Sequence, residues 1–507
     1  MSLRLAWSRA LVSLGLVAGL TAPGRAAAPA IPHPTADAVT HHSILLGGRS
    51  YAYTARAGTI TLRTVDDQPT ARVFYTAYTL DGADLAHRPV TFLYNGGPGS
   101  STIWLRMGSF GPVRVSVGDA AITPGPPYRL QANSYSLLDK TDLVFIDMPG
   151  SGYGRIIGSG KTKDFWGVDQ DADAFAQFIQ RYLTNFNRWN SPKFLFGESY
   201  GTTRSAVLSG VLATRGIALN GIVLLSSFLN PMVDYNDGAP IGGGDWAYLL
   251  YLPTETATAW YHHAIAGAPD LGGLLAQSER FALGEYLDGL AAGSQLPADR
   301  FDDIVTKLHR FTGLSARYIR NSNLRIPYDR FQNELARQRG VTFGRLDSRF
   351  QTYVLDRPEV SPDWDATDSA IDAAFVATGN YYVRQVLQYD TPLLYRSEIY
   401  DLIYADGNSW DFKHGDNPQT FNVAPDLAQT MTYNPRLRIF SANGYFDFAT
   451  PFFATQYVLD HLYIAPALQK NITYGFYESG HMVYLHPSAL AKFHADLERW
   501  YARTLGS

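Results

Sequence analysis

The chain contains no cysteine, which excludes disulfides, thiolate-held zinc and a cysteine nucleophile. It also lacks any block of like charge: 42 Lys and Arg stand against 46 Asp and Glu, for a formal charge of -4. Nothing in it is built to track phosphate backbones or anionic membranes, so nucleic acid is not an expected partner. Long apolar runs are missing too. The apolar stretch at 10–20 is roughly half of the ~20 residues that a membrane span needs, and no later run is longer, so no stable membrane insertion is expected. There is no His-Glu-x-x-His, and the adjacent His262 and His263 lack the spacing that sets two ligands on one helix face. No metal and no cofactor is expected.

What is present is a chain of 507 residues, 46% hydrophobic and 17% charged, long enough for a large core with a sizeable insertion and too apolar to be disordered. Its first residues carry Arg4 and Arg9, then the apolar stretch, then the small residues Ala26, Ala27 and Ala28. That is the layout of a secretory signal peptide over 1–28, with cleavage between Ala26 and Pro29. A flexible leader rich in Ala, Pro and Thr is expected over 29–43. An exported chain without cysteine points to a bacterial protein, periplasmic or secreted.

Beyond the leader, 51–55 and 72–78 mix β-branched and aromatic residues and suit an opening antiparallel hairpin. Short apolar runs at 90–94, 143–146, 194–196 and 222–225 then read as buried strands, alternating with helical patterns at 164–188 and 202–213. Strands alternating with helices imply a mostly parallel central sheet with helices on both faces, an α/β fold. Over 234–419 helix-like stretches (246–251, 271–290, 299–311, 328–338, 369–388) replace the strands, as in an inserted, mainly helical cap. Strand rhythm returns at 437–441 and 472–477, and 489–502 is a closing amphipathic helix. The expected division is a core at 44–233, the cap at 234–419 and the rest of the core at 420–507.

Gly197-Glu198-Ser199-Tyr200-Gly201 lies between a strand-like and a helix-like run. A strand-to-helix turn with glycine on either side of a serine lifts the serine oxygen above the sheet at a helix N-terminus, so Ser199 is a candidate nucleophile. A serine needs a base, and the base an orienting group. Of the 12 histidines, His481 follows the strand-like 472–477 in a loop able to reach back to Ser199. His486, next to Pro487, reads as structural. The acid belongs between serine and histidine in chain order, and Asp447, just after the strand-like 437–441, fits best. Early in the chain Asn95-Gly96-Gly97-Pro98-Gly99 leaves another strand, where backbone N–H groups could face an oxyanion; without a Lys-Ser or Lys-Thr tail it is no phosphate loop.

Together, Asn95-Gly96-Gly97-Pro98-Gly99, Asp147-Met148-Pro149-Gly150, Gly197-Glu198-Ser199-Tyr200-Gly201, Gly444-Tyr445-Phe446-Asp447 and Gly480-His481-Met482-Val483 resemble the serine carboxypeptidases, a family of the α/β-hydrolase fold. The resemblance runs from about residue 90 to the C-terminus, with no matching motif in the cap. It implies hydrolysis of the last peptide bond of substrates with a free C-terminus, through an acyl-enzyme. Carried over by motif, Ser199 is the nucleophile, His481 the base and Asp447 its orienter. The backbone N–H groups of Gly97 and Tyr200 form the oxyanion hole, and Asn95, the Gly96 backbone and Glu198 hold the substrate's C-terminal carboxylate. A carboxylate binds a carboxylate only if the two share a proton, so the resemblance implies work at acidic to near-neutral pH. Met482 either borders the leaving-residue pocket or belongs to the core. The chain departs from the family at Leu93 (usually Trp), Ser100 (usually Cys), Ser109 (usually a second carboxylate-binding Glu) and Tyr484 (usually Pro). An esterase or acyltransferase using the same triad is the alternative, and a binding protein on an inactive scaffold a third.

Overall fold

The computed structural model describes residues 36–506, apart from 235–243, 266, 268–269, 357, 363, 406–407 and 416–420. The expected signal peptide (1–28) and most of the leader lie outside the described residues. The leader ends sooner than expected. Ala38–Leu46 is already a strand, β1, because His41, Ser43 and Leu45 face solvent while Ile44 and Leu46 turn inward, an alternation that suits a half-buried edge.

β1 pairs antiparallel with β2 (Arg49–Arg63), which pairs with β3 (Pro69–Leu80). These strands are far longer than the hairpin expected from 51–55 and 72–78. Their polar outward residues hid the period from a reading that looked for apolar runs. The next strands are short and buried on both faces: β4 (Val90–Tyr94), β5 (Asp142–Ile146), β6 (Lys193–Glu198) and β7 (Gly221–Leu225). With β8 (Arg438–Gly444) and β9 (Ile472–Tyr477) they complete one sheet, in the order β1-β2-β3-β5-β4-β6-β7-β8-β9. From β5 to β9 every pairing is parallel. Continuous apolar strands are what a parallel sheet covered on both sides requires.

Two apolar layers cover the sheet. On one face lie α1 (Val168–Asn185) and α2 (Tyr200–Thr214). On the other lies the C-terminal α6 (Pro487–Leu505), whose Leu490, Phe493, Leu497, Trp500 and Tyr501 recur at helical spacing and are buried. Phe493 sits 5.2 Å from the Tyr477 ring and 6.0 Å from Phe440, tying α6 to β9 and β8.

Between β7 and β8 the chain is mostly helical: α3 (Asp245–Tyr261), α4 (Ala298–Thr312) and α5 (Ala366–Tyr381) are its longest helices. The expected helix at 271–290 is broken by a wider π-type turn at Ala282–Tyr286, where Gly284 leaves helical geometry. A small hairpin, Val341–Phe343 with Gln351–Tyr353, was not foreseen because three-residue strands carry no readable period. Among the described residues no helix is long and apolar enough to cross a membrane.

Candidate active site

Ser199 stands at the join of β6 and α2 with φ 60° and ψ -130°. A left-handed backbone is strained for a residue with a side chain, by about 1–3 kcal/mol, and here the surroundings enforce it. The Ser199 N–H donates to Leu225 O at 2.9 Å. A Cβ on Gly197 would come within 2.2 Å of Gly201 O, and one on Gly201 within 2.8 Å of Tyr94 O, so a side chain at either glycine would push the turn apart. The sharp turn projects Ser199 into a cavity of about 500 Å³, which Asn95, Gly96, Gly97, Glu198, Tyr200 and His481 also line.

His481 and Asp447 meet behind it. His481 Nδ1 lies 2.8 Å from Asp447 Oδ2. Asp447 is fully buried and further held by the N–H groups of Ala449 (2.8 Å) and Thr450 (3.0 Å) and by the Thr450 hydroxyl (2.7 Å). The imidazole is also buried, which by itself disfavours its charge, but the adjacent Asp447 carboxylate outweighs this and its pKa is raised. The loop is fixed by its backbone: His481 N–H donates to Leu346 O (2.6 Å), and Ser226 Oγ donates to His481 O (2.7 Å). With Nδ1 engaged by Asp447, Nε2 is the nitrogen left to face Ser199.

The Asn95–Gly97 turn leaves β4 beside the first residue of α2. Asn95 Oδ1 accepts from Leu105 N–H (3.0 Å), and Asn95 O accepts from Arg204 Nη1 (2.7 Å). Arg204 is completely buried, paired with Asp171 at 2.6 Å and set 4.2 Å over the Phe175 ring. Neither Arg204 nor Asp171 stood out in the sequence, because a buried ion pair between two helices has no motif.

Glu198 is buried at the end of β6. Burial lifts its pKa to about 7, against the opposing pull of His481 and of hydrogen bonds from Tyr484 and Asn95. Tyr484 Oη donates to both carboxylate oxygens, at 2.9 and 3.2 Å. The residue that departs from the family's proline thus touches the carboxylate most directly. Ser109, in contrast, is buried away from the cavity and donates to Leu105 O at 2.6 Å. Ser100 lines the cavity and accepts from Trp104 Nε1 at 2.9 Å. Met482 is 5% exposed, packed in the core, and also lines the cavity. His486 lies off the cavity, its Nδ1 against Glu478 O.

More of the wall comes from the segment between β7 and β8: Phe228, Arg345, Leu346, Asp368, Glu398 and Tyr400. The 397–400 stretch is laced to the glycine turn, with Ser101 N–H donating to Ser397 O (2.8 Å) and Ile399 N–H to Gly99 O (2.9 Å). No motif announced any of these residues.

A family model for serine carboxypeptidases matches residues 53–265. Carboxypeptidase Y of Saccharomyces cerevisiae is 22% identical over 198 residues, which are 38% of this chain and 35% of that protein. Pheromone-processing carboxypeptidase KEX1 of Phaeosphaeria nodorum is 27% identical over 197 residues, 37% of this chain and 27% of that protein. The match thus spans about a third of the length of these relatives. Among solved structures, the KEX1 prohormone-processing carboxypeptidase of Saccharomyces cerevisiae superposes with a TM-score of 0.53 at 16% identity, over 88% of this chain and 90% of that one. At that identity the superposition speaks to the fold, which is the α/β-hydrolase fold.

Proposed function

From the chain's similarity to the serine carboxypeptidases we propose that it is an exported enzyme that removes the C-terminal residue of peptides. Ser199 Oγ attacks the last peptide carbonyl while His481 Nε2 takes its proton, and Asp447 holds the imidazole in the required tautomer and stabilises its cation. The proton then passes to the leaving amine, giving an acyl-enzyme that water hydrolyses by the reverse route. The backbone N–H groups of Gly97 and Tyr200 serve the oxyanion, Tyr200 with the added field of the α2 N-terminus. Residues 234–419 act as the cap, and their contribution to the cavity wall supports that reading.

Asn95, the Gly96 backbone and Glu198 hold the substrate's free carboxylate. The observation that carries this reading is the buried Glu198, whose pKa is lifted to about 7 in the cavity of Ser199 and His481. Below pH ~7 its carboxyl keeps a proton and donates it in a hydrogen bond to the substrate carboxylate; above, two anions face each other and binding weakens. Loss of this proton sets an alkaline limit near pH 7, and protonation of His481, whose pKa Asp447 raises, cuts the acidic part of the range, which favours near-neutral pH. Release of the last residue from a blocked dipeptide with a free C-terminus, compared with its amide and an ester, is the test. Equal rates on acid and amide exclude the exopeptidase. Export rests on the pattern at 1–28, and the N-terminus of the mature protein recovered from the periplasm or medium checks it.

A further inference from the structure

Among the described residues Arg345 is the one cation that the insertion places on the cavity, and its guanidinium makes no hydrogen bond or ion pair, although Tyr328, Asp365, Asp368 and Asp447 lie near enough to favour its charge. Arginine side chains that are largely removed from solvent ordinarily have carboxylate or carbonyl partners. The position is held firmly. Arg345 N–H donates to Asp365 Oδ1 (3.2 Å), Arg345 O accepts from Phe448 N–H (2.9 Å), and the next residue's carbonyl accepts from His481 N–H (2.6 Å). A rigid backbone therefore presents a fork of unused donors beside the Asp447 and His481 loops.

The acidic groups around it leave those donors available. Asp365 is occupied by the N–H groups of Arg345, Leu346 and Thr367. Asp447 is occupied by Ala449, Thr450 and His481. Asp368 is held well above the usual carboxylate range by burial and by the charges of Asp365 and Asp372, so near neutral pH it is a weak counter-charge. Glu398, on the same wall, is raised by burial and by Asp401. Glu198, on the same cavity, feels His481, Tyr484, Asp447 and Asn95 and is hydrogen-bonded by Tyr484, so its carboxyl does not occupy the Arg345 donors.

We propose that Arg345 is a specificity residue that receives a carboxylate side chain of the substrate, so that peptides with Asp or Glu beside the cleaved bond are favoured. The proposal rests on the reading of this cavity as a peptide site. A planar guanidinium pairs with a carboxylate through two parallel hydrogen bonds, a geometry that neither an amide nor an apolar side chain can match.

The test measures binding apart from turnover. Blocked dipeptides carrying Glu or its neutral isostere Gln, before or after the scissile bond, and a Lys counterpart, are titrated calorimetrically into the full chain bearing Ser199→Ala at pH 6.5. The expected result is at least about tenfold tighter binding of Glu over Gln at one of the two positions, weakened by added salt, with the Glu/Gln ratio falling toward one when Arg345→Gln is added and recovering only in part with Arg345→Lys. Equal affinities for Glu and Gln at both positions, tighter binding of Lys, or a ratio unmoved by Arg345→Gln overturns it. If Arg345→Gln does not fold, the Glu-to-Gln comparison in the Ser199→Ala protein alone decides. Turnover of the same peptides by the unsubstituted chain judges the carboxypeptidase reading separately. Cleavage without a Glu preference sinks only the role of Arg345, and Glu-selective binding without cleavage sinks only the enzyme reading.

Discussion

Ser199, Asp447 and His481 each stand within four residues of the end of a strand of the central sheet, whereas Arg345, Asp368, Glu398 and Tyr400 come from the insertion, from loops and from two of its helices. The first wall of the cavity is set by the sheet, and its Asp447 carboxylate is held by Ala449, Thr450 and His481. The second wall is held by backbone contacts to the first, such as Leu346 O to His481 and Gly99 O to Ile399, and leaves side-chain donors and carboxyls facing the cavity. On the proposed reading, chemistry belongs to the strand-end wall and selectivity to the insertion.

The sharpest way to break this comparison is Ser199→Ala, which should lower kcat by about 10⁴–10⁶ with an unchanged thermal transition; residual turnover near the original level would move the chemistry elsewhere. Asp447→Asn keeps the shape but spoils the tautomer and the charge, and a loss in kcat of about 10³–10⁴ is expected from single-turnover rates. In the layer beneath, Phe493→Ala removes a ring packed against β8 and β9 and should cost about 3–5 kcal/mol in urea unfolding, since the cavity left behind cannot collapse. A loss below 1 kcal/mol would mean that α6 is not part of the rigid wall.

Two carboxyls sharpen the comparison through pH. For Glu198→Gln the expectation is a fall of about tenfold in kcat/KM at pH 6 on free-acid substrates, and loss of the decline centred near pH 7, because the amide donates a hydrogen bond but does not titrate. An unchanged profile assigns that decline to another group. Glu255, 3% exposed in α3 of the insertion, has a pKa lifted to about 8 by burial. The folded protein retains that proton while the unfolded chain gives it up near pH 4.5, so stability falls as pH rises from about 4.5 to 8. Glu255→Gln should therefore leave stability little changed at pH 4.5 and raise it at pH 8, by on the order of 1 kcal/mol or more, with a flatter dependence of Tm on pH. A variant that tracks the unsubstituted chain at both pH values would remove Glu255 as the cause.

Much of the strand-end wall was legible because the strands that carry it are short, fully apolar runs, and the residues after them fall in glycine-rich turns whose geometry demands small neighbours. Gly197 and Gly201 are the clearest case: their spacing about Ser199 follows from the room the turn lacks. Polar residues alternate along β1 and β2, so the apolar pattern covers less than the strands, and 38–43 carries the polar composition of a leader. Arg204 and Asp171 escaped notice because two buried charges thirty-three residues apart look like any surface pair until the helices are packed. Tyr484 was noticed only as a departure, and its bonds to Glu198 gave that departure a role.

Sequence alone determined the alternation of strand and helix, the serine turn, and the order of serine, acid and histidine along the chain, since these follow from local periodicity and from sterics within a few residues. Only the tertiary structure decided what faces those groups. It brought Asp447 and His481 to 2.8 Å across thirty-four residues, buried Glu198 so that its pKa rises to about 7, and put Arg345 on the same cavity with no hydrogen bond from its guanidinium to a described residue. Distance, burial and the pairing of side-chain donors are properties of packing between distant segments, and no local pattern encodes them.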